Sequence, residues 1–176
     1  MNRSVNSSVR QAEIRDAMAI SRLGGTTFAR AYGAIVRPED MAGYVEEIFA
    51  PSRIAEEIGT PDCVYLVAES DAGIIGYARM AATVAPEAIP KGCQLELVRL
   101  YLDDRYCGHG IGEKLLSACC SKVLEAGHSG LWLRVWQKNE GAIRFYRRHG
   151  FEIVGSEPYL IGETANPVVL MCLELA

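Results

Sequence analysis

The spacing of apolar and polar residues changes several times along this chain, and each change predicts an element. VRQAEIR (9–15) reads as a first strand. Asp16 then offers an N-cap to an alanine-rich helical stretch over 17–32. Arg37-Pro38-Glu39-Asp40 opens a second helix with Pro38 in its first turn, and Met41, Tyr44, Val45 and Ile48 recur at helical spacing. A short third helix is predicted over 51–58, closed by Gly59.

The texture then turns to strands. CVYLVAE (63–69), the turn Asp71-Ala72-Gly73 and IIGYARMA (74–81) predict a β-hairpin. After a loop with Pro86 and Pro90, QLELVRLYL (94–102) is nearly continuously apolar, as a central strand should be. A glycine-rich segment leads into a helix over about 110–126, with Ile111, Leu115, Ala118 and Cys119 on one face and Gly127 closing it. LWLRVW (131–136) reads as another buried strand. A short helix over about 140–149 follows, and Gly150 with Phe151 predicts a Schellman stop. FEIVGSEPYL and PVVLMCLEL supply two last strands. No internal repeat or linker interrupts the series, so the chain is expected to form one mixed α/β domain over 9–176, preceded by a flexible polar tail over 1–8.

Composition narrows the classes. A chain of 176 residues is long enough for one well-filled core, and 49% hydrophobic with 23% charged residues is ordinary for a globular protein. A net charge of −4 gives no footprint for a phosphate backbone, which argues against a nucleic-acid partner. No stretch approaches the ~20 apolar residues of a membrane span, and MNRSVNSS lacks the apolar core of a signal peptide, so a cytoplasmic location is expected. Cys63, Cys93, Cys107, Cys119, Cys120 and Cys172 include no C-x-x-C pair and no zinc spacing. They are read as small apolar fillers in a reducing compartment.

RYCGHGIGEKLL (105–116) carries the strongest chemical signal. A strand, a glycine-rich turn and a helix N-terminus make an anion site, because the first-turn amides have no intrahelical partners and the helix dipole adds partial positive charge. Glycines let the backbone approach a diphosphate without a Cβ in the way. The spacing is neither the early G-x-G-x-x-G of a dinucleotide fold nor G-x-x-x-x-G-K-[ST]. A tight turn that merely needs glycine is the structural alternative.

Arg105-x-x-Gly108-x-Gly110, preceded by ELVRLYL and followed by I-G-E-K-L-L, resembles the pyrophosphate-binding signature of the GNAT superfamily of acetyl-CoA-dependent N-acetyltransferases. LWLRVWQKNEGAIRFYRRHGF (131–151) is similar to that superfamily's second signature, N-x-x-A-x-x-F-Y-x-x-x-G-F. Within it, the FARAYG–RPEDM–YVEEIF start, LWLRVWQKN and the ending G-E-T-x-N-P-V-V-L-M look most like bacterial diamine and polyamine (spermidine-type) N-acetyltransferases. The resemblance implies a mixed, mostly antiparallel sheet of about six to seven strands flanked by helices, with two central strands that splay apart.

The same resemblance implies site residues. Leu100, Tyr101 and Leu102 would meet the pantetheine arm and thioester, whose amides can pair with exposed strand edges. The amides from Arg105 through Glu113, chiefly Gly108, His109, Gly110, Ile111 and Gly112, would hold the diphosphate. Asn139 would touch the arm from the other side, or cap the following helix, or both. Tyr146 matches the general acid that protonates the coenzyme A sulfur; read from its residues alone it is a core tyrosine. Glu96, a carboxylate in a central strand, is the candidate base acting through a water, with a structural hydrogen-bonded role as its alternative. The ring of His109 is expected in solvent; Arg148 is a weaker candidate for the nucleotide phosphates, and Tyr32, Tyr44, Glu46 and Glu47 could line an amine pocket.

The expected activity is thus transfer of acetyl from acetyl-CoA to a primary amine, a small polyamine or diamine first, by direct attack and without a metal. A protein N-terminal or antibiotic acetyltransferase remains open, as does an acyl-CoA sensor without turnover. A covalent route through Cys107 is the minor alternative. Exposed edge strands leave room for a homodimer.

Overall fold

The computed structural model describes residues 6–175, and residues 1–5 of the expected tail lie outside that range. Seven strands form one sheet: β1 (Ser8–Gln11), β2 (Cys63–Ser70), β3 (Gly73–Ala81), β4 (Leu95–Leu102), β5 (Gly130–Trp136), β6 (Glu152–Ile161) and β7 (Thr164–Glu174). Their order is β1-β2-β3-β4-β5-β7-β6. Every neighbouring pair is antiparallel except β4 and β5, which run parallel. Helices α1 (Ala17–Tyr32), α2 (Pro38–Ile48) and α3 (Pro51–Ile58) precede the hairpin, while α4 (Ile111–Glu125) and α5 (Glu140–Arg148) flank β5.

The apolar stripe foreseen for α4 is the one it buries. Ile111, Leu115 and Cys119 pack with Ala78, Leu97 and Met171 on one face of the sheet. On the opposite face, Ile20 of α1 and Ile54 of α3 close over Tyr65, Val67 and Tyr77. Each fully buried aliphatic side chain of this kind contributes roughly 1.5–3 kcal/mol. Both ends of α5 are sealed as the sequence predicts. The Asn139 side chain accepts from the amide of Ala142, and at the other end the amides of Gly150 and Phe151 donate to Arg147 and Tyr146 with Gly150 at φ +89°.

Four expectations need correction. The first strand ends at Gln11 rather than 15, because Ile14–Asp16 coils into a 3₁₀ turn. Asp16 precedes α1 without capping it; its carboxylate accepts from the Glu13 amide at 2.8 Å and pairs with Arg10 at 2.7 and 3.1 Å. Ser7 and Ser8, which the sequence places in a flexible tail, are held: Ser8 pairs with Glu69 in β1 and Ser7 accepts from Lys114 Nζ. The cysteines are not all isolated: Cys93 and Cys172, 79 residues apart, are joined as a disulfide. Gly130 is the physical reason, because its missing Cβ leaves the space that the Cys93 sulfur fills. Cys63, Cys107, Cys119 and Cys120 are free.

One departure from regular pairing shapes everything downstream. Strands β4 and β5 pair only at Leu95–Leu131 and Glu96–Trp132, and beyond that point the β5-facing edge of β4 has no strand partner. On its other edge, β4 carries a bulge against β3, where Arg79 faces Arg99 and Met80 faces Leu97, leaving Val98 over. The extra residue resets the alternation. Leu97, Leu100 and Leu102 turn to the α4 face, whereas Val98 and Tyr101 turn to the face covered by α1 and α3. Among the described residues, no helix is long and apolar enough to cross a membrane.

Candidate active site

The parting of β4 from β5 opens a cavity of about 510 Å³ that is lined from both faces of the sheet. Leu100, Leu102, Gly112, Phe145 and Tyr146 contribute from the α4–α5 side; Phe28, Tyr32, Tyr44, Arg99 and Tyr159 contribute from the other. A gap of this kind leaves strand N–H and C=O groups unmatched by protein, and they stay open to a chain-like ligand bearing amides.

The glycine turn lies beside it, between Cys107 and Gly112, which both line the cavity. Gly108 and Gly110 have φ of +79° and +77°, and a Cβ on either would meet nothing within 4 Å. Glycine is therefore required there by backbone angle, not by crowding. The first helical bond of α4 runs from the Lys114 amide to the Gly110 carbonyl at 3.1 Å. The amides of Ile111, Gly112 and Glu113 are left without intrahelical partners at the positive end of a 15-residue helix. A Cβ on Gly112 would stand 3.4 Å from Leu102 and 3.5 Å from Phe145, so glycine there keeps the lip of the cavity low.

Arg105 is the exception within the segment. A 3₁₀ turn, Asp104–Tyr106, unforeseen from sequence, tucks its amide onto Asp103 Oδ1 at 3.0 Å. The same carboxylate binds its guanidinium at 2.6 Å, and the amides of Tyr106 and Cys107 are also taken within the turn. The free amides thus start later than the expected series, and His109 between the glycines is a half-buried residue.

Tyr146 is buried, its ring edge-on to Phe145 at 5.3 Å and to Phe151 at 5.4 Å. Burial raises its phenol above the ordinary range, with Cys119 adding to the effect, so the hydroxyl holds its proton. Glu96 is also buried and lines the same cavity. Arg134 donates to its Oε1 at 2.6 Å and Thr83 to its Oε2 at 2.6 Å. Arg134 reaches on to Glu157 at 2.5 Å and lies over the Trp132 ring. Asn139 caps α5 and lines the cavity at once.

Of the four residues expected at an amine pocket, the two aromatic ones line the cavity and the two acidic ones do not. Tyr32 and Tyr44 line the cavity, and Tyr44 shares a 3.1 Å hydrogen bond with Tyr159. Glu46 turns outward beside Val36 and Met41, because it lies two residues on from Tyr44 along α2, and Glu47 lies within 3.8 Å of Arg53. Arg144, Arg147 and Arg148 are exposed on α5 and do not line the cavity. Arg99 and Arg134 went unnoticed in sequence. The signal was a single arginine in each of two largely apolar strands, LELVRLYL, which also carries Glu96, and GLWLRVW. Tyr159 gave none, since it reaches the site from an edge strand. Among the described residues no group of three or more His, Cys, Asp or Glu could hold a metal.

Comparison with known proteins agrees with this geometry. Residues 61–153 match the family model described as an acetyltransferase (GNAT) domain. An uncharacterized N-acetyltransferase in the pepI 3′ region of Lactobacillus delbrueckii subsp. lactis is 31% identical over 157 residues, covering 88% of each chain. The spermine/spermidine N(1)-acetyltransferase of Bacillus subtilis is 28% identical over 118 residues, 66% of this chain and 76% of its own. Among solved structures, the PaiA N-acetyltransferase of Thermoplasma acidophilum in complex with coenzyme A superposes with a TM-score of 0.79 at 21% identity, covering 97% of this chain and 99% of that one.

Proposed function

The chain belongs to the GNAT acetyltransferase family, and from that premise we propose that it moves the acetyl group of acetyl-CoA to the primary amine of a small molecule, by direct attack and with Tyr146 as general acid. The observation that carries this reading is the opening between β4 and β5 beside the uncapped N-terminus of α4. The residues present suit the cosubstrate. The amides of Gly108 through Glu113 offer donors to a diphosphate, and the free edge of β4 at Leu100, Tyr101 and Leu102 offers strand-like partners to an amide-bearing arm. Bound there, acetyl-CoA supplies an activated acetyl thioester.

The protein's own groups do the rest. Tyr146 keeps a proton in an apolar setting and can offer it to the departing thiolate, whose thiol has a reference pKa of about 8.5 and which must gain a proton or be stabilised as it leaves. Glu96 would take up the amine proton through a bound water. Each of its oxygens accepts one hydrogen bond from protein and keeps room for another. Cys107 is exposed at the cavity and needs no part in this route.

A polyamine acceptor is the finer reading that the Bacillus subtilis relative favours. The lining does not supply the carboxylates that a polycation would seek, because Glu96 and Asp104 are already paired with Arg134 and Arg30. The test is thiol release from acetyl-CoA by purified protein across polyamines, amino acids, an aminoglycoside and a short peptide, for the native chain and Tyr146→Phe. Release that depends on an amine, with kcat at least tenfold lower in the variant and acetyl-CoA affinity little changed, is the expected result. Equal kcat in both proteins would remove Tyr146 from the chemistry.

A further inference from the structure

Among the described residues, the arginines that are not exposed are matched by carboxylates, with one exception. Arg79 pairs with Glu57 at 2.8 Å, Arg134 with Glu96 and Glu157, and Arg10 with Asp16 and Glu69. Arg99 lines the cavity and its guanidinium lies 4.6 Å over the ring of Phe49. No carboxylate of the described residues comes within ion-pair range of it. A guanidinium does not shed its proton, so this charge cannot be relieved by titration. The β4 bulge sets its address, carrying Arg99 to the face of α1 and α3, away from the glycine turn and the N-terminus of α4. It is therefore remote from the group that those amides would hold.

The surroundings supply hydrophobic contact and hydroxyls, not negative charge. Phe28, Tyr44, Phe49 and Tyr101 make a chain of ring contacts beneath the cavity, and the hydroxyl of Tyr77, which packs edge-on to Tyr101, is buried without a hydrogen-bond partner. An unmatched planar cation with a fork of N–H donors, set in an aromatic wall, is suited to a carboxylate held by two parallel hydrogen bonds. It is equally unsuited to a ligand carrying several positive charges.

We propose that Arg99 anchors a carboxylate of the acetyl acceptor, so that the amine acetylated belongs to an amino-acid-like molecule rather than to a polyamine. The assignment rests on the acetyltransferase reading above and adds the acceptor class to it. Glu96 precedes Arg99 by three residues on the same strand, a span of about 10 Å or less. An acceptor anchored at Arg99 would thus present its amine toward Glu96 and Tyr146.

Matched pairs test this directly: lysine with cadaverine, ornithine with putrescine, tyrosine with tyramine, and a dipeptide with its C-terminal amide, each assayed by thiol release from acetyl-CoA. At least one acid should exceed its carboxylate-free partner tenfold or more in kcat/KM, chiefly through KM. In Arg99→Met that preference should fall to within about threefold of unity, and Arg99→Lys should retain part of it because it keeps charge but not the fork. Should Arg99→Met fail to fold, the partial loss in Arg99→Lys carries the test. A preference that survives in Arg99→Met overturns the assignment, as does a carboxylate-free amine that wins in every pair or spermidine outperforming every acid. Stabilisation of the protein by acetyl-CoA with no release from any pair overturns it too, while leaving the cosubstrate site standing; absence of both strikes the acetyltransferase reading itself.

Discussion

A single carboxylate can be asked two different questions at Glu96. Its bonds to Arg134 and Thr83 are those of a structural group, yet it lines the cavity where, on the proposed reading, the amine would lose a proton. A pH profile separates the roles. An amine with a reference pKa of about 10.4 is almost wholly protonated at pH 7 and becomes free as pH rises. If Glu96 accepts that proton through a water, Glu96→Gln lowers kcat/KM at neutral pH, and the deficit shrinks as pH approaches 10. A deficit that is constant with pH would make Glu96 a positioning residue only. At this scale the sequence was legible where a motif fixed a position, as at Tyr146 and Asn139, and illegible where contact depended on rotation about a helix. Glu46 and Glu47 are two and three residues on from Tyr44, yet only the tyrosine lines the cavity. Composition alone gave them equal standing.

Elements were read more faithfully than their ends. Helix α4 and the α5 stop follow from periodicity and from glycines at positive φ, which leave little choice of conformation. The bounds of α1 were read correctly and the role of Asp16 was not, because Asp16 has two competing uses and its pairing with Arg10 prevailed over helix capping. That pairing fixes β1 to the 3₁₀ turn and has a measurable signature. Hydrogen bonds from Arg10 hold the Asp16 carboxyl below the usual carboxylate range. A depressed folded pKa contributes stability that is complete above the unfolded value of about 3.9 and is lost as pH falls through the lower folded value. Asp16→Asn should therefore cost about 1–3 kcal/mol at pH 7, and its melting temperature should approach that of the native chain only as pH falls below about 4 toward the depressed folded value. Equal melting temperatures at pH 7 would show that the pair holds nothing in place. The disulfide between Cys93 and Cys172 was invisible for a different reason. It depends on a β5 glycine lying under a loop from elsewhere in the chain, a contact without local pattern.

For the molecule as a whole, strand order was less informative than one interruption in it. Seven strands in a continuous sheet would give only a scaffold; the two paired positions between β4 and β5 give a passage from one face to the other. The α4 face presents free amides and an unpartnered strand edge, and the α1–α3 face presents aromatic rings and Arg99. On the proposed reading, the cosubstrate takes the first of those faces and the acceptor the second. The measurement closest to that claim is calorimetric titration of coenzyme A into the native protein, Tyr146→Phe and Gly110→Ala. Forcing alanine to φ near +77° costs about 1–2 kcal/mol if the turn is to keep its shape. The account predicts one site, affinity retained in Tyr146→Phe, and affinity about tenfold weaker in Gly110→Ala. No heat of binding, or equal affinity in the glycine variant, would contradict it.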